Sequence, residues 1–342
     1  GTITSKNVES NKTVSVGTLA LADGSNGGLA ANYTLSGGTH QLTVNQRPLN
    51  ATLARQYDAS TTAAGSTISS FNALQGGENL TMTGSGTASS ANVANSISMS
   101  NNGDLALANG SGSSAGLASN YSLNSTVINI TPRVLNSSGS KTYDANTDAI
   151  SSAITLSNLA GSETLAHSGT ASTSSANAGT YTISNLSGIS LADGSNGGIA
   201  SNYSLSSGTH DFTINRRIIS LSGTRLYDAT TNAVASDLST HSNLVGSQTL
   251  ALSGTGTITS KNVGSNKTVS VGTLALSDGS NGGLASNYTL TGGTHQLTVN
   301  QRPLNATLSR QYDASTTAAG STLSSFDALQ GGENLTLTGS GT

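Results

Sequence analysis

Residues 217–229 read Arg-Ile-Ile-Ser-Leu-Ser-Gly-Thr-Arg-Leu-Tyr-Asp-Ala. Between Arg217 and Tyr227 polar and apolar residues take turns, the period-2 pattern of a half-buried β-strand. The pattern stops at residues 228–236, a run of small, turn-forming residues. The Tyr-Asp-Ala that ends the strand also occurs at Tyr57, Tyr143 and Tyr312, with successive spacings of 86, 84 and 85 residues. Asn-Tyr accompanies it, at Tyr33, Tyr121, Tyr203 and Tyr288. On a longer scale, residues 1–87 and 256–342 are one sequence repeated at an offset of 255, with eight substitutions. The chain reads as a window on a tandem array, cut in mid-repeat at both ends. Residues 1–47 are the C-terminal part of a repeat, 48–132, 133–216 and 217–302 are full repeats, and 303–342 is an N-terminal part. Arrays of this kind supply length and surface rather than one catalytic pocket.

Within the repeat from Arg217 to Arg302, residues 248–259 alternate through Leu250 and Leu252, then turn to Gly and Thr. Residues 261–267, Lys-Asn-Val-Gly-Ser-Asn-Lys, have the composition of a turn. Residues 268–276 form the clearest strand. Its parity shifts between Val269/Val271 and Leu274/Leu276, so a β-bulge is expected at Gly272. Residues 283–288 suit one short helical turn, and residues 295–301 alternate again through Leu297 and Val299. The reading is all-β: five or six strands, at most one short helical turn per repeat, and an elongated array of small β-sandwich or β-grasp-like domains of about 85 residues. A continuous β-helix is the rival architecture, but its coils take about 20–25 residues and no such period is evident. Pro48, Pro132 and Pro303 all fall at the joints between repeats, where they stiffen the connection.

Composition narrows the function. Charged residues make up 8% of the chain against about 25% in ordinary domains. The net charge of −3 disfavours nucleic acid and anionic lipid as partners. With three Phe and no Trp, each repeat buries only a thin core. There is no cysteine, which keeps a long exported chain threadable, and no run of 18 apolar residues that would insert in a membrane.

The few charges are placed periodically. A basic residue stands two before each repeated Tyr (Arg55, Lys141, Arg225, Arg310) and another ten before it (Arg47, Arg133, Arg217, Arg302). An acid follows each time: Asp58, Asp144, Asp228, Asp313. Such a set is either a repeated ligand site or an anchor, in which Tyr fills a thin core while Asp caps a turn or pairs with the neighbouring cation. In a chain so poor in aromatics the anchor is the expected role.

Basic-x-Tyr-Asp-small-x-Thr, Lys-Asn-Val-Gly (residues 261–264), Asn-Tyr-x-Leu (287–290) and Ile-Thr-Pro-Arg (130–133) together resemble the YDG-type repeats of large filamentous-haemagglutinin-like adhesins of Gram-negative bacteria. The resemblance implies export by a two-partner pathway and display as a surface or biofilm-matrix fibre. It implies no catalytic residue, cofactor or defined receptor. Ala replaces the Gly after Tyr-Asp in all four copies, so ordinary backbone geometry is expected at that position.

Other chemistry is thinly represented. His40, His210 and His295 share a Thr-His strand start, read as a surface or edge position, and no His cluster has metal-ligand spacing. Asp23, Asp193 and Asp278 open Asp-Gly-Ser-Asn-Gly-Gly loops that hint at calcium, but the acid expected twelve places on is missing (Thr34). A tight turn is the default there. No catalytic residue is singled out. The expected function is the stalk or fibre segment of a secreted adhesin or matrix protein, located outside the cell and partnered by neighbouring repeats, other fibres, extracellular polysaccharide or another cell's surface. The alternatives are a repeated carbohydrate- or ice-binding module, with Thr255, Thr257 and Thr259 as a flat face, and a β-helix adhesin shaft.

Overall fold

The computed structural model describes residues 1–183 and 185–342. The fold is all-β, with helix limited to three-residue 3-10 turns among the described residues. The chain forms two compact units. Unit 1 comprises residues 1–136, 156–167 and 191–208, and unit 2 comprises residues 137–155, 168–190 and 209–342.

Unit 1 is built on a six-stranded sheet. Its strands are β1 (Arg47–Gln56), β2 (Thr62–Ala64), β3 (Ile68–Phe71), β4 (Ser85–Ala88), β5 (Ala94–Asn101) and β6 (Tyr121–Thr131), in the order β2-β4-β5-β6-β1-β3. All neighbours are antiparallel except the central pair, where the first and last strands run parallel with Leu53 opposite Ile128. A parallel pair needs a long crossover, and here most of the repeat lies between its two strands. Alternate residues Leu49, Ala51 and Leu53 of β1 and Ile128 and Ile130 of β6 face the core, as period 2 requires.

Unit 2 repeats the arrangement with β7 (Ser220–Leu226), β8 (Asn232–Val234), β9 (Thr240–Ser242), β10 (Thr255–Ile258), β11 (Gly264–Ser270) and β12 (Gln296–Asn300), in the order β8-β10-β11-β12-β7-β9. Again the central pair, β7 and β12, is parallel, with Gly223 opposite Leu297. A third parallel pair joins Ser137–Thr142 to His210–Asn215 in the same unit. Each large sheet is accompanied by an antiparallel two-stranded sheet: Leu80–Thr83 with Ala106–Asn109 in unit 1, and Leu250–Ser253 with Ala275–Asp278 in unit 2. A central parallel pair of first and last strands within an otherwise antiparallel sheet is the β-grasp arrangement of the expected pair. It also excludes a β-helix, whose ladders are all parallel.

Several local expectations are corrected. Residues 268–276 are not one bulged strand: β11 ends at Ser270 and the next strand begins at Ala275 in the other sheet. Gly272 sits in the connecting turn at φ +56°, where a Cβ would lie 2.6 Å from the Thr255 carbonyl oxygen. The parity shift was the chain changing sheets. Residues 264–267, read as turn, already belong to β11, with Asn266 at φ 49° absorbing the irregularity. The helical turn expected at 283–288 is the 3-10 turn Ala285–Asn287, but a second one, Ala235–Asp237, lies in the same repeat.

The core does not stop where the repeat stops. In unit 1, Leu53, Tyr57, Ile128 and Ile130 share one buried cluster with Leu135, Ala160 and Tyr203, from beyond Pro132. Pro48 lies inside strand β1, while Pro132 separates β6 from the short strand Arg133–Val134. The sequence offers only one residue between those two strands, so chain and core continue through the joint. No helix of the described residues is long and apolar enough to cross a membrane.

Candidate functional site

The repeated charges build a clamp at the end of the first strand of each repeat. Asp58, Asp144, Asp228 and Asp313 each accept a hydrogen bond from the backbone N–H two residues on, at 2.9–3.1 Å, closing an Asx turn. Each also pairs with the cation three residues before it: Arg55, Lys141, Arg225 or Arg310. The same cation donates to the carbonyl oxygen of Ser60, Asn146, Thr230 or Ser315. Inside this clamp the expectation of ordinary geometry fails. Ala59, Ala145, Ala229 and Ala314 lie at φ 65°, 65°, 62° and 58°. A left-handed L-residue costs about 1–2 kcal/mol, and the turn with its ion pair holds the alanine there.

The tyrosines lie at the joint between one repeat and the next. In unit 1 the Tyr57 hydroxyl donates to Glu163 Oε1 at 2.7 Å, and the Tyr203 hydroxyl donates to Glu163 Oε2 at 2.5 Å. The two rings meet edge to face, centroids 5.4 Å apart. Burial, and then the hydrogen bond to Glu163, pushes the Tyr57 phenol up to about 12. The Tyr203 phenol is raised for the same two reasons. In unit 2 the geometry recurs with an amide. Tyr288 donates to Gln248 Oε1 at 2.5 Å, Gln248 Nε2 donates to the Tyr143 hydroxyl at 3.0 Å, and the rings again stand 5.4 Å apart. Each of these tyrosines also accepts a backbone N–H: Tyr203 from Ala160 at 3.0 Å and Tyr288 from Val245 at 3.1 Å.

Two further joints carry an ion pair. Glu78 takes the hydroxyl of Tyr121 at 2.8 Å and Lys6 at 2.6 Å. Glu333 takes the hydroxyl of Tyr227 and, at 2.8 Å, Lys261. Both carboxyls are held below the usual range, chiefly by the hydrogen bond from lysine. In the two joints described first, Ala91 and Ala176 occupy the lysine position.

Asn and Arg complete the joint. Asn120, Asn202 and Asn287 reach back into the preceding repeat. Each side-chain oxygen accepts a backbone N–H (Val8, Val93 and Ala178, at 2.9, 2.9 and 2.8 Å), and each amide nitrogen donates at 3.0 Å to Asn7, Asn92 or Asn177. Arg133, Arg217 and Arg302 donate to the carbonyl oxygens of Tyr57, Tyr143 and Tyr227. Arg47, Arg133 and Arg217 also hold a loop carbonyl, of Ala73, Asn158 and Asn243.

The structure thus brings Tyr57, Tyr121, Tyr143, Tyr203, Tyr227 and Tyr288 to joints, and leaves Tyr33 and Tyr312 exposed. The candidate calcium residues are engaged otherwise. Asp23, Asp193 and Asp278 each accept, at 2.7 Å, the backbone N–H that opens a 3-10 turn (Ala30, Ala200, Ala285), and Asn109 does the same for Ala118 at 2.8 Å. A neutral amide does the same work, so the position needs an acceptor rather than a charge. Among the described residues no group of three or more His, Cys, Asp or Glu is placed to hold a metal. His210 and His295 are buried rather than on the surface. His210 Nδ1 lies 2.9 Å from the Ser137 hydroxyl, and His295 Nε2 lies 2.9 Å from the Leu290 carbonyl oxygen. The joint residues that were not singled out are Glu78, Glu163, Gln248 and Glu333, although they recur every 85 residues without exception. That invariant spacing was the available signal.

No curated protein and no solved structure matches the chain. A family model does: the YDG domain model matches twice in succession, over residues 129–210 and 213–297, which supports a YDG-type repeat.

Proposed function

We propose that the chain is a stalk segment of a secreted bacterial surface adhesin or matrix fibre, and that it works by reach and by repeated presentation rather than by catalysis. The observation that carries this reading is the recurrence of one joint. Asn, Tyr, an acceptor Glu or Gln and Arg bind each repeat to the next with the same partners, and in unit 1 a single core runs through the junction. A load applied along such a chain is borne by packed core and hydrogen bonds rather than by a flexible linker. The surface carries few charges, so weak contacts made in parallel depend little on salt. Many identical weak contacts add up through effective concentration. The absence of cysteine suits export, and the YDG match suits an adhesin setting. Extracellular polysaccharide and other cells' surfaces are the proposed partners.

The test is made in the producing cell. Antibody raised against the chain labels intact, unpermeabilised cells or their matrix, and deletion of the repeat region weakens attachment under flow. Label confined to the cell interior, or attachment unchanged by the deletion, overturns the reading. Tight, saturable binding of one glycan by the isolated 342-residue chain replaces it with a repeated binding module.

A further inference from the structure

Residues 303–342 repeat the sequence of 48–87, and residues 1–47 repeat that of 256–302. They are the two halves of one repeat, carried at separate places in the chain. Each half leaves bare the side chains that a complete repeat buries. Tyr33 is 72% exposed where its counterpart Tyr288 is 2%, and Leu42 is 47% exposed where Leu297 is 0%. Tyr312 is 94% exposed where Tyr57 is 3%. Strand Gln41–Val44 is bonded to Glu9–Ser15 on one side and lacks the parallel neighbour that its counterpart β12 has in β7.

The second half also holds a cavity of about 620 Å³ lined by Tyr227, Arg302, Leu304, Leu329, Glu333 and Leu335. At the joint in unit 1 the corresponding residues Tyr57, Leu135, Leu159 and Leu165 pack in one cluster with Tyr203. Tyr203 donates there to Glu163, the counterpart of Glu333. The cavity is therefore the seat of an Asn-Tyr tyrosine. Apolar surface bared on both halves is the driving force for filling it.

We propose that this surface binds a second copy of the chain, head to tail, each contact completing one repeat from two halves. Tyr33 of one copy enters the cavity of the next and donates to Glu333. Asn32 accepts the Val263 backbone N–H, as Asn202 accepts that of Val93. Strand Gln41–Val44 pairs parallel with Ala306–Leu308, Leu42 opposite Leu308, in the register of Ile128 with Leu53. In a longer array this seat suits the Asn-Tyr segment of the following residues; the 342-residue chain offers it to another molecule. The contact is heterologous, so it builds open chains of copies unless a ring closes. The inference rests on the joint geometry and not on the adhesive role.

Sedimentation velocity of the 342-residue chain from about 1 to 200 μM tests it. The expected result is a concentration-dependent ladder of species in steps of 33.9 kDa. Tyr33→Ala and Leu335→Asp change exposed positions at opposite ends of the contact. Each weakens association at least tenfold, to monomer over most of the range, while far-UV circular dichroism stays that of the unaltered chain. Leu42→Asp serves as a second variant of the first half. An equimolar mixture of Tyr33→Ala and Leu335→Asp retains one intact pairing per two molecules and stops at the dimer. An unaltered chain that stays monomeric overturns the proposal. So do variants that still form the full ladder, and a mixture that yields no dimer or passes beyond it.

Discussion

Replacing Asn202 by Ala isolates the contribution of one joint. The side chain is fully buried, accepts the Val93 N–H at 2.9 Å and donates to Asn92 at 3.0 Å. Alanine leaves the Val93 N–H without a partner, at a cost of about 1–3 kcal/mol, and removes a second hydrogen bond worth about 1 kcal/mol. The sum is about 2–4 kcal/mol for unit 1. Asn287→Ala removes the same pair of bonds from unit 2 and costs a similar amount. Asn32 stands in the same motif but is exposed, so Asn32→Ala stays within about 0.5 kcal/mol. Urea unfolding followed by tyrosine fluorescence gives the three values. Amide exchange at Tyr57, whose N–H donates to the Thr131 carbonyl oxygen in the same joint, reports whether unit 1 opens there. The reasoning is refuted if Asn202→Ala and Asn287→Ala unfold no more easily than Asn32→Ala.

Three further outcomes are expected. Glu163→Gln changes stability by less than about 1 kcal/mol, because Gln248 already fills the equivalent place, whereas Glu163→Ala strands two buried phenol hydroxyls and costs about 2–4 kcal/mol; equal losses in the two variants in chemical denaturation would contradict the shared role. Ala229→Gly relieves left-handed strain of about 1–2 kcal/mol, less the entropy that glycine adds to the unfolded chain, for a net gain of about 0.5–1 kcal/mol in melting experiments; a loss there means the turn is not strained. Tyr57 ionises near 10 unfolded and about 12 folded, so between those values the unfolded chain binds fewer protons and stability falls as pH rises. The loss approaches about 2–3 kcal/mol by pH 12, and Tyr57→Phe, followed by ultraviolet absorbance and circular dichroism, flattens the Tyr57 part of that decline.

Much of the fold was legible because the repeat averages out local ambiguity. Three copies of Tyr-Asp after a period-2 stretch identify a strand and its turn more firmly than one copy can, and Arg217–Ile218 and β7 lie where the alternation placed them. The pairing of Asp228 with Arg225 followed from spacing alone, since three residues across a tight turn bring the two groups together. The parity shift at Gly272 was also visible, but its meaning was not. A bulge and a change of sheet leave the same trace in sequence, and only the long-range partners of Val269 and Leu276 tell them apart. The backbone at Ala229 was misjudged for a related reason: a methyl group argues for ordinary φ, and the clamp that overrides it comes from residues on both sides of the turn.

The sequence alone determined the period, the all-β class, the near-uncharged surface and the anchoring place of the Tyr-Asp motif, because each follows from composition or from contacts a few residues long. The tertiary structure decided which strands lie side by side, that first and last run parallel, and that the two tyrosine motifs meet across a repeat boundary around Glu163 or Gln248. Those partners lie about 40 and 106 residues apart in the chain. Loop closure over such distances is settled by the total burial it permits rather than by any local preference, so no window of sequence contains it.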